Sequence, residues 1–142
     1  MKTDVARLLS AVAKAAGREL KIDHFEDRLI MQKGCYILNS WGCGPKFRFN
    51  MYVRGPYSTT LADEYYSLGD VTPGVTDIPD VYVNDLSEIL GKGLRYAEAY
   101  ATVLMIKNNS PGGSYEGIMR RALDLKPHLK KEVEEASLSL LN

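Results

Sequence analysis

The chain has 142 residues and a mass of 15.8 kDa, the size of one domain, long enough to bury about two-thirds of its unfolded surface. Hydrophobic residues at 45% and charged residues at 25% exclude a disordered chain, and 18 bases against 18 acids exclude bulk attraction to nucleic acid or membrane. No run approaches the ~20 apolar residues of a membrane helix, the first residues hold no apolar h-region before a small-residue cleavage site, so secretion is not expected, and two cysteines make no disulfide framework. A cytoplasmic protein forming a single domain over residues 1–142 is the expectation.

Thr3 or Asp4 is placed to cap a first helix, in which Val5, Leu8, Leu9, Val12 and Ala16 follow helical spacing up to Gly17. A second helix follows Asp23, with Phe25, Leu29, Gln32 and Tyr36 on one face, and Gly42 closes it. Gly34 inside it costs about 1 kcal/mol relative to Ala, which makes sense where another backbone approaches closely. Phe47, Phe49, Met51 and Val53 then alternate with Arg48, Asn50, Tyr52 and Arg54, the period of a strand, and Gly55-Pro56 breaks it. Ser58 caps a third helix with Leu61, Tyr65 and Leu68, ending at Gly69.

Residues 69–83 read as a loop in which Val81-Tyr82-Val83 is β-prone and suited to pair with the earlier strand. Asn84 or Asp85 caps a short helix to Leu90. Beyond Gly91 and Gly93, a helix over 94–107 places Leu94, Ala97, Ala101, Leu104 and Met105 inward. After the turn at Asn108–Gly113, Ser114 caps a helix with Ile118, Met119 and Ala122 inward. Lys126-Pro127 starts the last helix, striped by Val133, Ala136, Leu140 and Leu141. The predicted fold is α+β and mainly α: a helical domain with a small antiparallel sheet or hairpin.

The charges are segregated despite the zero sum. Residues 28–62 carry Arg28, Lys33, Lys46, Arg48 and Arg54 and no acid. Residues 63–90 carry seven acids and no base. The two segments either pack side by side and neutralise each other or present a basic face to an acidic partner.

Catalytic signals are sparse. His24, Cys35, Cys43 and His128 lack the spacing of a metal site, so no metal and no cofactor is expected. Cys35 reads as a buried thiol and Cys43 as a more exposed one. No nucleophile elbow, metalloprotease helix or phosphate-binding glycine loop occurs, so the chain is not expected to be an enzyme. Two bases on the second helix and three on the strand after it, interleaved with Phe47, Phe49, Tyr52 and Tyr57, resemble a winged helix in outline and make nucleic-acid binding the alternative.

The remaining constellation is Gln32, Lys33 and Tyr36 with Arg54-Gly55-Pro56-Tyr57-Ser58. Gln32 on an apolar seam needs polar partners, and the irregular backbone at Gly55-Pro56 offers them. If Gln32 faces that turn, Lys33 and Arg54 flank it, forming a basic rim around an exposed Tyr57.

These residues carry a resemblance. Met31-Gln32-Lys33-Gly34-Cys35-Tyr36-Ile37-Leu38, then Phe49 to Ser58, then Leu61, resemble the Panacea-type domain, the superfamily of the SocA-like antitoxins, in an uncharacterised Gly-Pro-Tyr-Ser branch. Gln32, Lys33, Tyr36, Gly55 and Pro56 match its Leu-Gln-Lys-x-x-Tyr helix and Gly-Pro strand end, whereas Met31 stands for Leu and Gly34 for a larger apolar residue. The specific part spans residues 28–68. The resemblance implies a mainly helical fold with a small sheet, protein binding without catalytic residues, and a protein partner such as a toxin or a protease-delivery target. The expected function is therefore a non-enzymatic protein-interaction module, antitoxin-like or of prophage or mobile-element origin. Its expected binding residues are Gln32, Lys33, Tyr36, Arg54, Gly55, Pro56, Tyr57 and Ser58.

Overall fold

The computed structural model describes residues 4–141. They form seven α-helices and one two-stranded antiparallel sheet, the expected mainly-α class. In chain order these are α1 (Val5–Ala16), α2 (Phe25–Ser40), β1 (Asn50–Tyr52), β2 (Gly55–Tyr57), α3 (Thr59–Leu68), α4 (Asp80–Gly91), α5 (Leu94–Asn108), α6 (Tyr115–Leu125) and α7 (Lys130–Leu141), with a 3-10 turn at Pro127–Leu129. No helix among the described residues is long and apolar enough to cross a membrane.

Three helix starts follow their capping residues. The Asp4 carboxylate accepts from the Arg7 N–H at 2.8 Å, Ser58 Oγ accepts from Leu61, and Ser114 Oγ accepts from Gly117. Thr3, the other expected first cap, lies outside the described residues. At the start of α2, Asp27 is buried and accepts from Arg18 Nη2 and the Lys21 N–H, each at 2.8 Å. Burial alone would raise its carboxyl, but these donors outweigh it and hold the group below the usual carboxylate range.

α5 is the central helix. It packs against α2, α4, α6, α7 and the hairpin, and every residue from Tyr96 to Ile106 is buried. The sequence pattern suggested one inward stripe, but a helix covered on all sides buries its whole circumference.

Two expectations are corrected between residues 47 and 91. Only Asn50–Tyr52 forms a strand, and Gly55-Pro56 does not break it. Those residues belong to the partner strand, with Tyr52 opposite Gly55 and Met51 opposite Pro56. Phe47 and Phe49 keep their half-buried alternation without a strand partner; the Asn39 side chain anchors this stretch, donating to Cys43 O and Pro45 O and accepting from the Phe47 N–H. Val81-Tyr82-Val83 lies in α4, which starts at Asp80 after Pro79, not at a cap on Asn84 or Asp85. There the three-residue spacing of buried Val83, Leu86 and Ile89 overrides β-propensity. The extended pairing near that loop is instead a bridge between Leu20 and Val71.

Gly34 marks a close approach, but to a side chain. A Cβ built there would lie 2.6 Å from Val12 Cγ1 on α1. Val is stiff at χ1 and cannot swing aside. Gly34→Ala is therefore expected to destabilise the fold by about 1–3 kcal/mol, although Ala is the better helix former. In urea unfolding, adding Val12→Ala should make the Gly34→Ala loss smaller than in the wild-type background, and strict additivity would remove the steric account.

Candidate interaction surface around the hairpin

The hairpin turns through Val53 and Arg54, neither of which has a positive φ. The left-handed residue is Gly55 at φ 91°, the arrangement in which an ordinary turn is followed by one glycine. Val53 is consequently not on the apolar face of Phe47, Phe49 and Met51; it sits at the tip and is 83% exposed.

The structure brings all eight expected residues around this hairpin but gives them different environments. Gln32 is fully buried and works as a splint: its Nε2 donates to Ser58 O at 2.9 Å and Tyr65 Oη at 3.2 Å, and its Oε1 accepts from the Ser58 N–H at 2.8 Å. The amide thus ties α2 to the residue that caps α3. Tyr36 is buried edge-on against Phe49, with ring centroids 5.1 Å apart, and its hydroxyl faces Asn108 Nδ2 at 3.4 Å. Gly55, Pro56 and Ser58 are buried as well.

The basic rim is corrected at two of its three members. Lys33 is 1% exposed, and its ammonium points inward to donate to Pro56 O at 2.8 Å. Tyr57 is half-buried, its ring 5.5 Å from that of Tyr52 in an edge contact. Arg54 alone of the eight is exposed. Helical spacing could not place the Lys33 ammonium, because a long side chain on one helix face can turn along its stem toward a carbonyl acceptor.

Beneath the hairpin lies a buried polar cluster that sequence reasoning missed. Lys126, 3% exposed, reaches under the turn and donates to Tyr52 O at 3.3 Å and to Val53 O. Its ammonium lies 3.2 Å from Glu98 Oε2 on α5. Lys33 lies close enough to feel both charges. Burial pushes the Lys33 ammonium down to about 7, with Glu98 opposing the shift and Lys126 and Arg54 adding to it. Two lysines therefore hold three carbonyls of one short hairpin, with one carboxylate between them. Lys126 is more than 70 residues from the carbonyls it holds. The one available sequence signal was Glu98 itself, a charge between Ala97 and Ala99 in the most buried helix.

Gly55 sits directly on this cluster. A Cβ there would lie 3.2 Å from Thr102 Oγ1 and 3.4 Å from both Glu98 Cγ and Lys33 Cε. Steric crowding and the left-handed φ act together, so Gly55→Ala is expected to cost about 1–3 kcal/mol. A thermal melt beside the wild type checks it, and an unchanged midpoint would mean the turn accommodates a methyl group.

On the outer side, Phe25, Leu29, Tyr52, Val53, Arg54, Gly55, Tyr57 and the stem of Lys33 line a cleft of about 280 Å³ whose walls are almost wholly apolar. Phe25 and Tyr52 are each about half exposed, and Tyr66 on α3 more so. The guanidinium of Arg54 lies 5.5 Å from the Phe25 ring centroid and that of Arg28 5.8 Å from it; Arg28 also lies 5.9 Å from the Tyr66 ring. Such stacking steadies both arginines, and Arg28 Nη1 also donates to Ile22 O at 2.8 Å.

Asp70 pairs with Lys21 and Asp80 with Lys14, both bases of the first 27 residues. Among the described residues, no group of three or more His, Cys, Asp or Glu is placed to hold a metal ion. Both cysteines are buried, including Cys43, which was expected to be the more exposed; burial raises both thiols. No family model, curated protein or solved structure matches the chain.

Proposed function

We propose that this chain is a non-enzymatic protein-interaction module whose docking face is the cleft beside the hairpin. The observation that carries the reading is an open, apolar cleft with Arg54 in its wall and an exposed phenylalanine on which both Arg54 and Arg28 stack. Exposed aromatics beside arginine are the residue types that most often dominate binding energy. The chemistry fits one kind of occupant: a protein segment that inserts an apolar side chain and carries carboxylates to either side for Arg28 and Arg54. The antitoxin-like role, with a toxin or a protease-delivery target as partner, rests on the resemblance of residues 28–68 to the Panacea-type domain. In such a role binding alone is the activity, and the buried lysine clasp keeps the cleft wall in shape before the partner arrives.

A displayed library of random peptides, selected on the folded chain, tests this. The expected result is enrichment of sequences with one large apolar residue flanked by Asp or Glu. Binding of the enriched peptides should fall by about tenfold or more in Arg54→Ala and Tyr52→Ala, both exposed positions whose melting temperatures should stay near wild type. Enrichment that is indifferent to these substitutions overturns the site. A parallel titration with fluorescent duplex and single-stranded DNA at physiological salt is expected to show nothing tighter than about 10⁻⁶ M. A nanomolar, sequence-selective complex would replace the protein-binding reading with the nucleic-acid one. The inward-turned Lys33 and the zero net charge support the weaker outcome.

A further inference from the structure

The strand pattern that starts before β1 is only partly used by the sheet. Exposure alternates without a break from Lys46 to Tyr52: Lys46, Arg48, Asn50 and Tyr52 are exposed, and Phe47, Phe49 and Met51 are half-buried. Of these residues β1 takes three and pairs them with β2 on one side. β2 packs against α2 and α5, whereas β1 has β2 as its main neighbour. β1 is thus the outer strand of a two-stranded sheet.

Hydrogen-bond parity identifies the groups on its far edge. Met51 faces Pro56, which has no N–H to give and whose carbonyl is turned to Lys33, so this pair makes no ladder bonds. Asn50 and Tyr52 therefore bond across to Tyr57 and Gly55, and Met51 turns its N–H and C=O away from β2. Phe49, two residues earlier on the same alternation, does likewise. Among the described residues, the main chain of Phe49 and Met51 has no hydrogen-bond partner. Unpaired main-chain groups persist where water reaches them, so this edge is open. It is also held still at both ends: Asn39 Oδ1 takes the Phe47 N–H before it, and Lys126 holds the Tyr52 and Val53 carbonyls after it.

We infer that the edge from Arg48 to Met51 is a docking site for an extended, acidic segment of a partner protein, which adds to the sheet as a third strand. The N–H and C=O of Phe49 and of Met51 supply the main-chain bonds. Charge decides the occupant. Arg48 is exposed and has no ion-pair or hydrogen-bond partner among the described residues. Lys46, bonded to Asn39 O, adds its charge beside it, and residues 28–62 contain no acid. A second copy would bring the same bases against these, the device by which natural edge strands avoid pairing with themselves. A strand with a carboxylate opposite Arg48 is attracted instead. The inference goes beyond the cleft reading, since the cleft grips a side chain and the edge grips a main chain.

The probe is a fluorescein-labelled octapeptide alternating glutamate with valine. Residues opposite one another across a strand pair share a face, so glutamates set against outward Arg48 leave the valine amides to bond Phe49 and Met51. The expected result is saturable binding that slows amide exchange at Phe49 and Met51, followed by NMR. Methylating the valine amides should abolish binding, and methylating the glutamate amides should leave it nearly intact. A peptide held in the cleft by one side chain would show neither the asymmetry nor the protection, so failure here is distinct from failure of the cleft reading. Arg48→Glu should lower affinity for the glutamate peptide about tenfold, raise it for a lysine–valine counterpart, and leave the thermal melt unchanged. No saturation, equal effects of the two methylations, or indifference to Arg48→Glu overturns the assignment. Sedimentation of the chain alone as a dimer that protects the same two amides also overturns it, because the occupant is then a second copy.

Discussion

Glu98→Gln is expected to be among the most damaging conservative substitutions in this protein. The carboxylate is buried and is the counter-charge to Lys126 at 3.2 Å and to the nearby Lys33 ammonium. Removing one partner of a buried ionic cluster leaves uncompensated charge in a medium that solvates it poorly, at a cost of about 3–5 kcal/mol. In a domain of this size that is a fall of roughly 10 °C or more in melting temperature. The loss should be larger at and below pH 7, where Lys33 is at least half protonated in the folded state, and smaller at pH 9, where Lys33 is neutral. Urea unfolding of wild type and Glu98→Gln at pH 7 and pH 9 checks both parts. A loss below about 1 kcal/mol at pH 7 would show that backbone carbonyls alone satisfy the two ammonium groups.

The second large effect is in the pH dependence of the wild type. Lys33 has its proton affinity lowered to about 7 in the folded state, from 10.5 in an exposed chain. Between those values the unfolded chain binds more protons than the folded one, so stability rises with pH. Below pH 7 both states are protonated and the folded state carries the full penalty of burying the charge. From pH 7 to pH 9 the expected gain is about 2 kcal/mol, following the 1.36 kcal/mol carried by each pH unit per proton. Above about pH 9 the slope reverses. Burial raises Cys35, Cys43, Tyr65 and Tyr100, so the unfolded chain now loses protons first. The expected profile is a maximum on the alkaline side of neutrality. Lys33→Met removes the charge and keeps the stem; its stability should be flat from pH 7 to pH 9. A wild-type profile that is already flat there would place the folded-state value of Lys33 near that of an exposed lysine.

These two predictions concern groups that differ in how visible they were beforehand. Lys33 was singled out as one flank of the Gly55-Pro56 turn, one residue past Gln32 on the second helix. Its direction did not follow, and the exposed rim drawn from it was an error of side-chain geometry. Lys126 was read only as the residue before a helix-starting proline, yet it supports the hairpin turn. Nothing local distinguishes a lysine that will be buried against carbonyls contributed by a distant hairpin.

Local chemistry by itself determined the helices and where most of them begin and end. Asp4, Ser58 and Ser114 cap because a short oxygen acceptor meets the free amides of a first turn, and that requirement involves only the next three residues. The Gln32 splint was readable for a similar reason: a polar amide on an apolar seam has to find backbone partners, and the Gly-Pro turn was the one irregular segment nearby. Tertiary structure decided the rest. It made Val81-Tyr82-Val83 helical, because burying Val83, Leu86 and Ile89 against α1 and α5 outweighs a weak strand preference. It reduced an eight-residue alternation to a three-residue strand, because pairing extends only as far as the partner strand does. It turned Lys33 inward and brought Lys126 and Glu98 beneath the same turn, because the cost of burying charge is met only where carbonyls and a carboxylate from separate elements converge.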